Sequence, residues 1–312
     1  MLTASRIPGR RMRAGVSRAG VTLAELMVVL VIMGLVGAVI MRVVLRQQRF
    51  YAGAAEITSE RADLRDLATA IPTDLRGISS AGGDIYAMSD SSIDFRLPMG
   101  ISTICVLGAG LTSIIVPPAT LTSRSGVTSW TTAPVSGDSV LIYDEGASTG
   151  IADDTWKPYK ITGAPTAGSC PTTTKFTSTS AEAAAGLSLP LSAALSAAVP
   201  VGSSVMLFRH AHYGLFLTSS GKTMLGYYDC PGGTCGTMTP IAGPFLPYAA
   251  TGSGVQFTYY DSTGVVTAVK TNVARIDVVV RAQTASPVAL VGGAKSYVRD
   301  SLAFTVSLRN RQ

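Results

Sequence analysis

The stretch Gly20-Val-Thr-Leu-Ala-Glu-Leu26 opens an apolar run that continues to Leu45. Between Val21 and Leu45 only Glu25 and Arg42 are charged. At about 1.5 Å per residue, a helix over these positions reaches roughly 37 Å, which is enough to span a bilayer with some tilt. A carboxylate at membrane depth costs several kcal/mol. Glu25 therefore requires a partner or a function.

The residues before this run carry positive charge only. Residues 1–20 contain five arginines and no acid, which is typical of a segment that stays on the cytoplasmic side of a membrane. We therefore expect one membrane crossing with the N-terminus inside. The arginines are Arg6, Arg10, Arg11, Arg13 and Arg18.

Two common kinds of N-terminal segment explain this pattern incompletely. A secretory signal peptide is disfavoured by the length of the apolar run, by the position of Glu25, and by the lack of a small-x-small cleavage site after the run. A plain signal anchor accounts for the arginines and the length. It gives no reason for Glu25.

The segment from Gly20 to Glu25, placed after a basic leader, resembles the cleavage motif of type IV prepilins and type II secretion pseudopilins. In that family a prepilin peptidase cuts after the glycine on the cytoplasmic side and methylates the new amino terminus. The resemblance implies that Gly20 ends the leader, that Val21 becomes the N-methylated terminus, and that Glu25 is an assembly contact. The first mature residue of the family is most often Phe and the fourth is Ile or Leu, where this chain has Val21 and Ala24.

The same pairing has a physical reason. Cleavage leaves an ammonium at Val21, and Glu25 of a neighbouring subunit can pair with it, so two groups that are costly alone stabilise one another when helices stack in register. The implied partners are the prepilin peptidase, other major and minor pilins or pseudopilins, and the inner membrane.

Composition limits the remaining possibilities. The chain carries 25 Lys+Arg against 19 Asp+Glu, a formal net charge of +6, and removal of the five leader arginines leaves 20 against 19. A nearly neutral mature chain lacks the basic surface of a nucleic-acid-binding protein, so we expect no nucleic-acid partner. With 47% hydrophobic residues, the chain has ample material for a sizeable core.

All four cysteines follow the membrane run, on the side where disulfides form. Four cysteines allow three pairings. The Pro231-Gly232 step suits a tight turn that brings Cys230 and Cys235 together, which leaves Cys105 with Cys170. A metal site at the close pair is the weaker alternative, because His210 and His212 are the only histidines.

Residues 46–78 continue the helix in amphipathic form. Apolar residues recur in steps of four and three if Arg61 occupies one position, and we expect this stripe to pack on the chain's own globular domain. Pro72 is predicted to kink or end the helix. The stripe comprises Phe50, Ala54, Ile57, Leu64, Ala68, Ile71, Leu75 and Ile78.

Residues 79–312 predict an antiparallel, β-rich domain, so the fold class is α+β with a long N-terminal helix packed on that domain. We expect a surface loop at Thr162–Ser180 and a short helix in Ala183–Ala198 broken by Pro190. The predicted strands are Ser92–Leu97, Leu111–Val116, Ser139–Tyr143, Val205–Thr218, Thr223–Tyr228, Val255–Tyr260, Arg275–Arg281 and Ser301–Leu308.

A second, weaker resemblance lies in the C-terminal half. Residues 254–261 with Gly264, 274–280 and 304–310 are similar in pattern to the closing strands of PilW-like minor pilins, and Asp74-Leu75-Arg76 is similar to the end of their helix. Major pilins are usually shorter and often carry a proline in the membrane helix. Here residues 21–71 contain none, which favours a minor component.

Signals for catalysis are weak. Gly221-Lys222-Thr223 is interpreted as a hairpin turn because the spacing to Gly214 is wrong for a phosphate-binding loop. His210 and His212 share one face of a strand and are interpreted as exposed residues. The acid pairs at 144–145 and 153–154 are interpreted as solvated loop residues rather than a calcium site.

The sequence therefore predicts a non-enzymatic subunit without catalytic residues, cofactor or metal. The favoured function is a minor type IV pilin, first in the inner membrane and then in a periplasmic or cell-surface pilus. The nearest alternative is a minor pseudopilin of a type II secretion system. An alternative of another class is a membrane-anchored periplasmic enzyme or binding protein.

Overall fold

The computed structural model describes residues 20–122, 126–148, 150–172, 175–289 and 294–308. The five leader arginines lie outside these residues, as do Arg309 and Asn310 of the C-terminal resemblance. The chain divides into two compact units, Met1–Gly53 and Ala54–Gln312. Helix α1 runs over Leu23–Leu75 and contributes to both.

In the first unit, α1 is apolar and its side chains are exposed. The helix is long and apolar enough to cross a membrane, which is consistent with a single-pass anchor. Large hydrophobic residues such as Leu30, Ile32 and Leu35 are more than half exposed. In water such a surface would be costly, whereas in lipid it is the expected one.

In the second unit, α1 packs on a sheet through one face. Leu64, Ile71 and Leu75 of the predicted stripe are buried, as is Ile78 just beyond the helix. Phe50, at the start of the stripe, is 61% exposed and lies in the first unit.

Two details of the helix differ from the sequence prediction. Glu60, not Arg61, takes the buried position between Ile57 and Leu64, and Arg61 is exposed. Pro72 lies in the last turn, and the helix continues for three residues to Leu75. Pro72 removes one helical hydrogen bond, but the Arg76 N–H still donates to the Pro72 carbonyl at 3.0 Å, so the turn after the proline stays helical.

The strands of the domain follow in chain order. They are β1 (Ile85–Met88), β2 (Ser92–Thr103), β3 (Val106–Leu107), β4 (Ser113–Val116), β5 (Ser129–Trp130), β6 (Ser139–Asp144), β7 (Thr155–Lys160), β8 (Thr166–Gly168), β9 (Gly186–Pro190), β10 (Ser204–Leu217), β11 (Thr223–Asp229), β12 (Thr239–Phe245), β13 (Val255–Tyr260), β14 (Arg275–Gln283), β15 (Val288–Ala289), β16 (Lys295–Ser296) and β17 (Arg299–Ser307). A short helix, α2 (Ser180–Ala184), precedes β9.

All strand pairs among the described residues are antiparallel. The main sheet has the order β1-β2-β10-β11-β12-β14-β13, with β17 on β14, β5 on β2, β6 on β10 and β7 on β6. A smaller sheet has the order β3-β4-β9-β8, and β15 pairs with β16. The α+β prediction is thus confirmed.

The domain has two hydrophobic cores. The first lies between the main sheet and α1, around Ile71, Phe95, Phe245 and Ile276. The second lies between the smaller sheet and the β2, β6 and β10 region, and its buried residues include Ile104, Ile114, Val140, Leu189 and Leu207.

Each predicted strand coincides with an observed one, with shifts at the ends. The largest shift is at β2, which continues beyond Leu97 to Thr103. At β4, Leu111 lies in a 3-10 turn instead. The prediction for Ala183–Ala198 is wrong. The helix there is α2, which a capping box between Thr179 and Glu182 starts earlier, and Pro190 ends strand β9. The predicted loop Thr162–Ser180 contains the short strand β8, which pairs with β9.

Candidate functional site at the start of the helix

The first turn of α1 is held by a capping box. The backbone N–H and the hydroxyl of Thr22 both donate to Glu25 Oε2, at 2.9 Å and 3.1 Å. The Glu25 N–H donates back to Thr22 Oγ1 at 3.3 Å. Thr22 thus supplies the side chain that an N-cap needs, and Glu25 is the acid three residues later.

This arrangement gives Glu25 a partner within its own chain. In the described part of the chain both donors reach Oε2, and no donor reaches Oε1. One oxygen is therefore engaged while the other remains open to a cation from outside. The pattern Thr-x-x-Glu is readable in the sequence, and the sequence prediction considered only Glu25.

Gly20 and Val21 lie directly before the capping box. Both are exposed and precede the first helical residue, Leu23. A side-chain carbon added to Gly20 would meet no atom within 4 Å. The bond between Gly20 and Val21 is thus in an open, non-helical segment beside Glu25.

The structure joins Cys105 to Cys170 and Cys230 to Cys235. This is the pairing that the sequence favours. The metal alternative has some geometric basis, because ligand atoms of His210, Cys230 and Cys235 all lie within 4.8 Å of one another. Sulfurs that are bonded to each other cannot serve as thiolate ligands, however.

The two histidines share a face of β10, as predicted, but they are not simply exposed. His210 Nε2 and His212 Nδ1 lie 3.1 Å and 3.0 Å from the two carboxylate oxygens of Asp94, and His212 stacks on Tyr228. Burial raises the pKa of Asp94, but the contacts and charges of His212 and His210 outweigh burial and hold it below its usual range. The cluster ties β10 to β2 and β11.

Three of the four acids at 144–145 and 153–154 accept hydrogen bonds from neighbouring groups, and Glu145 is exposed. Asp153 Oδ2 accepts from the backbone N–H groups of Ala147 and Ser148 at 2.8 Å and 2.9 Å. Asp144 pairs with Lys157, and Tyr143 donates to Asp154. These carboxylates are therefore occupied as loop supports rather than simply solvated.

Two further sequence features have structural roles. Lys222 lies in the turn between β10 and β11, where its carbonyl accepts from the Thr218 N–H at 2.9 Å, so the hairpin interpretation is confirmed. Asp74, in the last turn of α1, accepts a hydrogen bond from the Tyr213 hydroxyl. Burial raises the pKa of Asp74, and this hydrogen bond partly counters that rise.

No family model, curated protein or solved structure matches the chain.

Proposed function

We propose that the chain is a minor type IV pilin that is inserted in the inner membrane with its N-terminus in the cytoplasm. Its leader is cut after Gly20 by a prepilin peptidase, which also methylates Val21. The mature subunit then joins a pilus through α1, with the β-rich domain facing the periplasm or cell surface. The observation that carries this proposal is Glu25 at the start of a membrane-length helix, with one carboxylate oxygen open.

The assembly step follows from electrostatics. Before assembly, the donors of Thr22 lower the cost of holding the Glu25 carboxylate in the bilayer. During assembly, the ammonium of Val21 from a neighbouring subunit approaches the open oxygen, and the two charges neutralise each other. A pairing between subunits forms only when their helices lie side by side with Val21 of one near Glu25 of the other, so it favours stacked helices in one register.

The same first turn would serve a minor pseudopilin of a type II secretion system. The two functions differ in the machine that takes up the processed subunit. Cells that lack the pilus assembly ATPase retain a pseudopilin in its secretion complex, whereas they lose a pilin from the surface. Recovery with the secretion complex in such cells would replace the pilin proposal by the pseudopilin one.

Processing is tested by mass spectrometry of the protein from membranes. We expect an N-terminus at methylated Val21, and an intact leader when Gly20 is replaced by leucine. Gly34→Leu is the matched control, because Gly34 lies inside the helix with no atom near its added side chain, and this variant should be cut normally. A cut at another position, or no cut in cells that possess the peptidase, would overturn the proposal.

A further inference from the structure

A small acidic cavity of about 50 Å³ lies in the second unit, between α1 and the ends of β12 and β14. Three carboxylates from consecutive turns of α1 line it: Glu56, Glu60 and Asp63. Their spacing of four and three residues places them on one face of the helix. Ser59 and Gln283 add a hydroxyl and an amide to the same wall.

Glu60 is the unusual member of this group. The residue is only 6% exposed, and both carboxylate oxygens are buried without a hydrogen-bond partner among the described residues. The Asp300 backbone N–H lies near this carboxylate but does not reach hydrogen-bond geometry. A buried carboxylate without a partner costs several kcal/mol, so the position calls for a cation or a proton.

No side chain of the described chain supplies that cation. Arg61 is adjacent, but its Nε lies 3.1 Å from Asp300 Oδ2, and the guanidinium is mostly exposed. Glu56 uses one oxygen to accept from the Ala285 N–H at 3.1 Å, which leaves its other oxygen available. None of the three cavity acids forms an ion pair within the described residues.

The size of the cavity and the atoms on its wall indicate which kind of cation it can bind. The polar side chains on its wall offer oxygen atoms, with neither sulfur nor imidazole, which is the ligand set of a hard cation. The volume holds an ion with one or two waters, because a single water needs roughly 10–15 Å³.

We propose that Glu56, Glu60 and Asp63, together with oxygens of Ser59 and Gln283, bind one calcium ion that fastens α1 to β12 and β14. Calcium fits better than magnesium because it tolerates irregular oxygen sets, whereas magnesium demands a near-ideal octahedron. The packing of the helix on the sheet would then depend on calcium. This inference is independent of the pilin proposal, since it concerns only contacts inside the second unit.

The test uses the full chain in detergent micelles, freed of metal by a chelator. We expect isothermal titration with CaCl₂ to give one binding site, and saturating calcium to raise the Tm by about 5 °C. Glu60→Gln keeps the side-chain shape and should weaken calcium binding at least tenfold. Its metal-free Tm should equal or exceed that of the parent, because the variant removes a buried charge.

Glu145→Gln is the control, because it removes one exposed acid from the 144–154 loop, where a rival calcium site would lie. Its calcium affinity should equal that of the parent. If Glu60→Gln does not fold, Asp63→Asn provides the same comparison. Absence of calcium binding at 10 mM in the parent, or unchanged binding in the Glu60 and Asp63 variants, would overturn the site.

Discussion

Two different groups can bind the Glu25 carboxylate at the start of α1. One is Thr22 of the same chain, which forms the capping box, and the other is the proposed ammonium of Val21 from a neighbouring subunit. The contact with Thr22 stabilises the helix, and the proposed contact with Val21 of a neighbour favours assembly. A single residue thus serves both the local structure and the proposed function, and substitutions can separate the two.

Glu25→Gln should leave the capping box in place, because glutamine serves at that position as well as glutamate does. It removes the charge that the neighbour's ammonium requires. We expect a processed protein that accumulates in the inner membrane and is depleted from sheared pili, measured by immunoblot of both fractions. If the glutamine variant enters pili as well as the parent, Glu25 is not an assembly contact.

Thr22→Val is the companion variant, since it keeps the charge and the shape but loses the cap. Loss of an N-cap costs about 1 kcal/mol of helix stability. We expect the helix to fray at its first turn, as measured by faster amide hydrogen exchange at residues 23–26 in micelles. Unchanged exchange there would show that the capping box contributes little.

Glu182 is a second carboxylate that is held by hydrogen-bond donors of its own chain. It accepts from Thr122 and from the backbone N–H groups of Ser178 and Thr179, chiefly through the Thr122 hydroxyl, and these bonds lower its pKa to about 2. Because the folded pKa lies below the unfolded value near 4.5, the bonds stabilise the fold above about pH 4.5, and this stabilisation disappears as the pH falls toward 2.

We therefore expect Glu182→Gln to lower the Tm at pH 7 and to differ progressively less from the parent between pH 4.5 and pH 2. Thermal melts followed by circular dichroism across this range measure the difference. Glu145→Gln, at an exposed acid, should follow the parent throughout. A Tm difference for Glu182→Gln that stays constant down to pH 2 would contradict the assigned role.

At the scale of one element, the spacing of apolar residues in α1 predicts which face of the helix is buried. It does not predict which charged residue lies on that face. Starting from Ile57, a step of three leads to Glu60 and a step of four leads to Arg61, and the period permits both. Charge gives no further guidance, because both residues are ionisable. The neighbouring sheet decides which of the two residues is buried. Arg61 pairs with Asp300 on β17 and stays exposed, and Glu60 lines the cavity.

The buried face of α1 is testable at Ile71, which has no exposed surface in the first core. Ile71→Ala removes buried methyl groups and leaves a cavity, so it should lower the free energy of unfolding by about 2–5 kcal/mol. Ile151→Ala, at an 89% exposed isoleucine, should change it by less than about 0.5 kcal/mol. Equal losses in urea denaturation of the two variants would mean that α1 does not pack on the sheet as described.

At the scale of the whole molecule, the sequence predicts local elements but not their partners. The alternation of apolar and polar residues predicts strand β10. Its neighbours β2 and β6 lie far away in sequence, and this alternation does not indicate which strands will pair. Strand β9 was missed for a related reason. The strand has only five residues and adjoins an alanine-rich segment, so the alternation of Leu187 and Leu189 is too short a pattern to predict it. Its strand conformation depends on pairing with β4 and β8.

The disulfides connect these distant parts, and their contributions should differ. Cys105 and Cys170 close a loop with a sequence separation of 65, and Cys230 and Cys235 close one of 5. In the chain-entropy model the long bridge contributes about 4 kcal/mol and the short one about 2 kcal/mol. The long bridge also joins the segment before β3 to the segment before α2, so it holds both ends of the smaller sheet.

We expect the double variant Cys105→Ala/Cys170→Ala to lose more stability than Cys230→Ala/Cys235→Ala, as measured by urea denaturation of the oxidised proteins. Both variants remove two sulfurs. Cys105 and Cys170 are both buried whereas Cys235 is exposed, so lost packing and lost loop closure should both make the long-bridge variant the less stable one. Peptide mapping without reductant should recover each remaining bridge intact. A larger loss from the short bridge, or a peptide that joins Cys105 to Cys230 or Cys235 in the parent, would mean that the long loop is not closed as described.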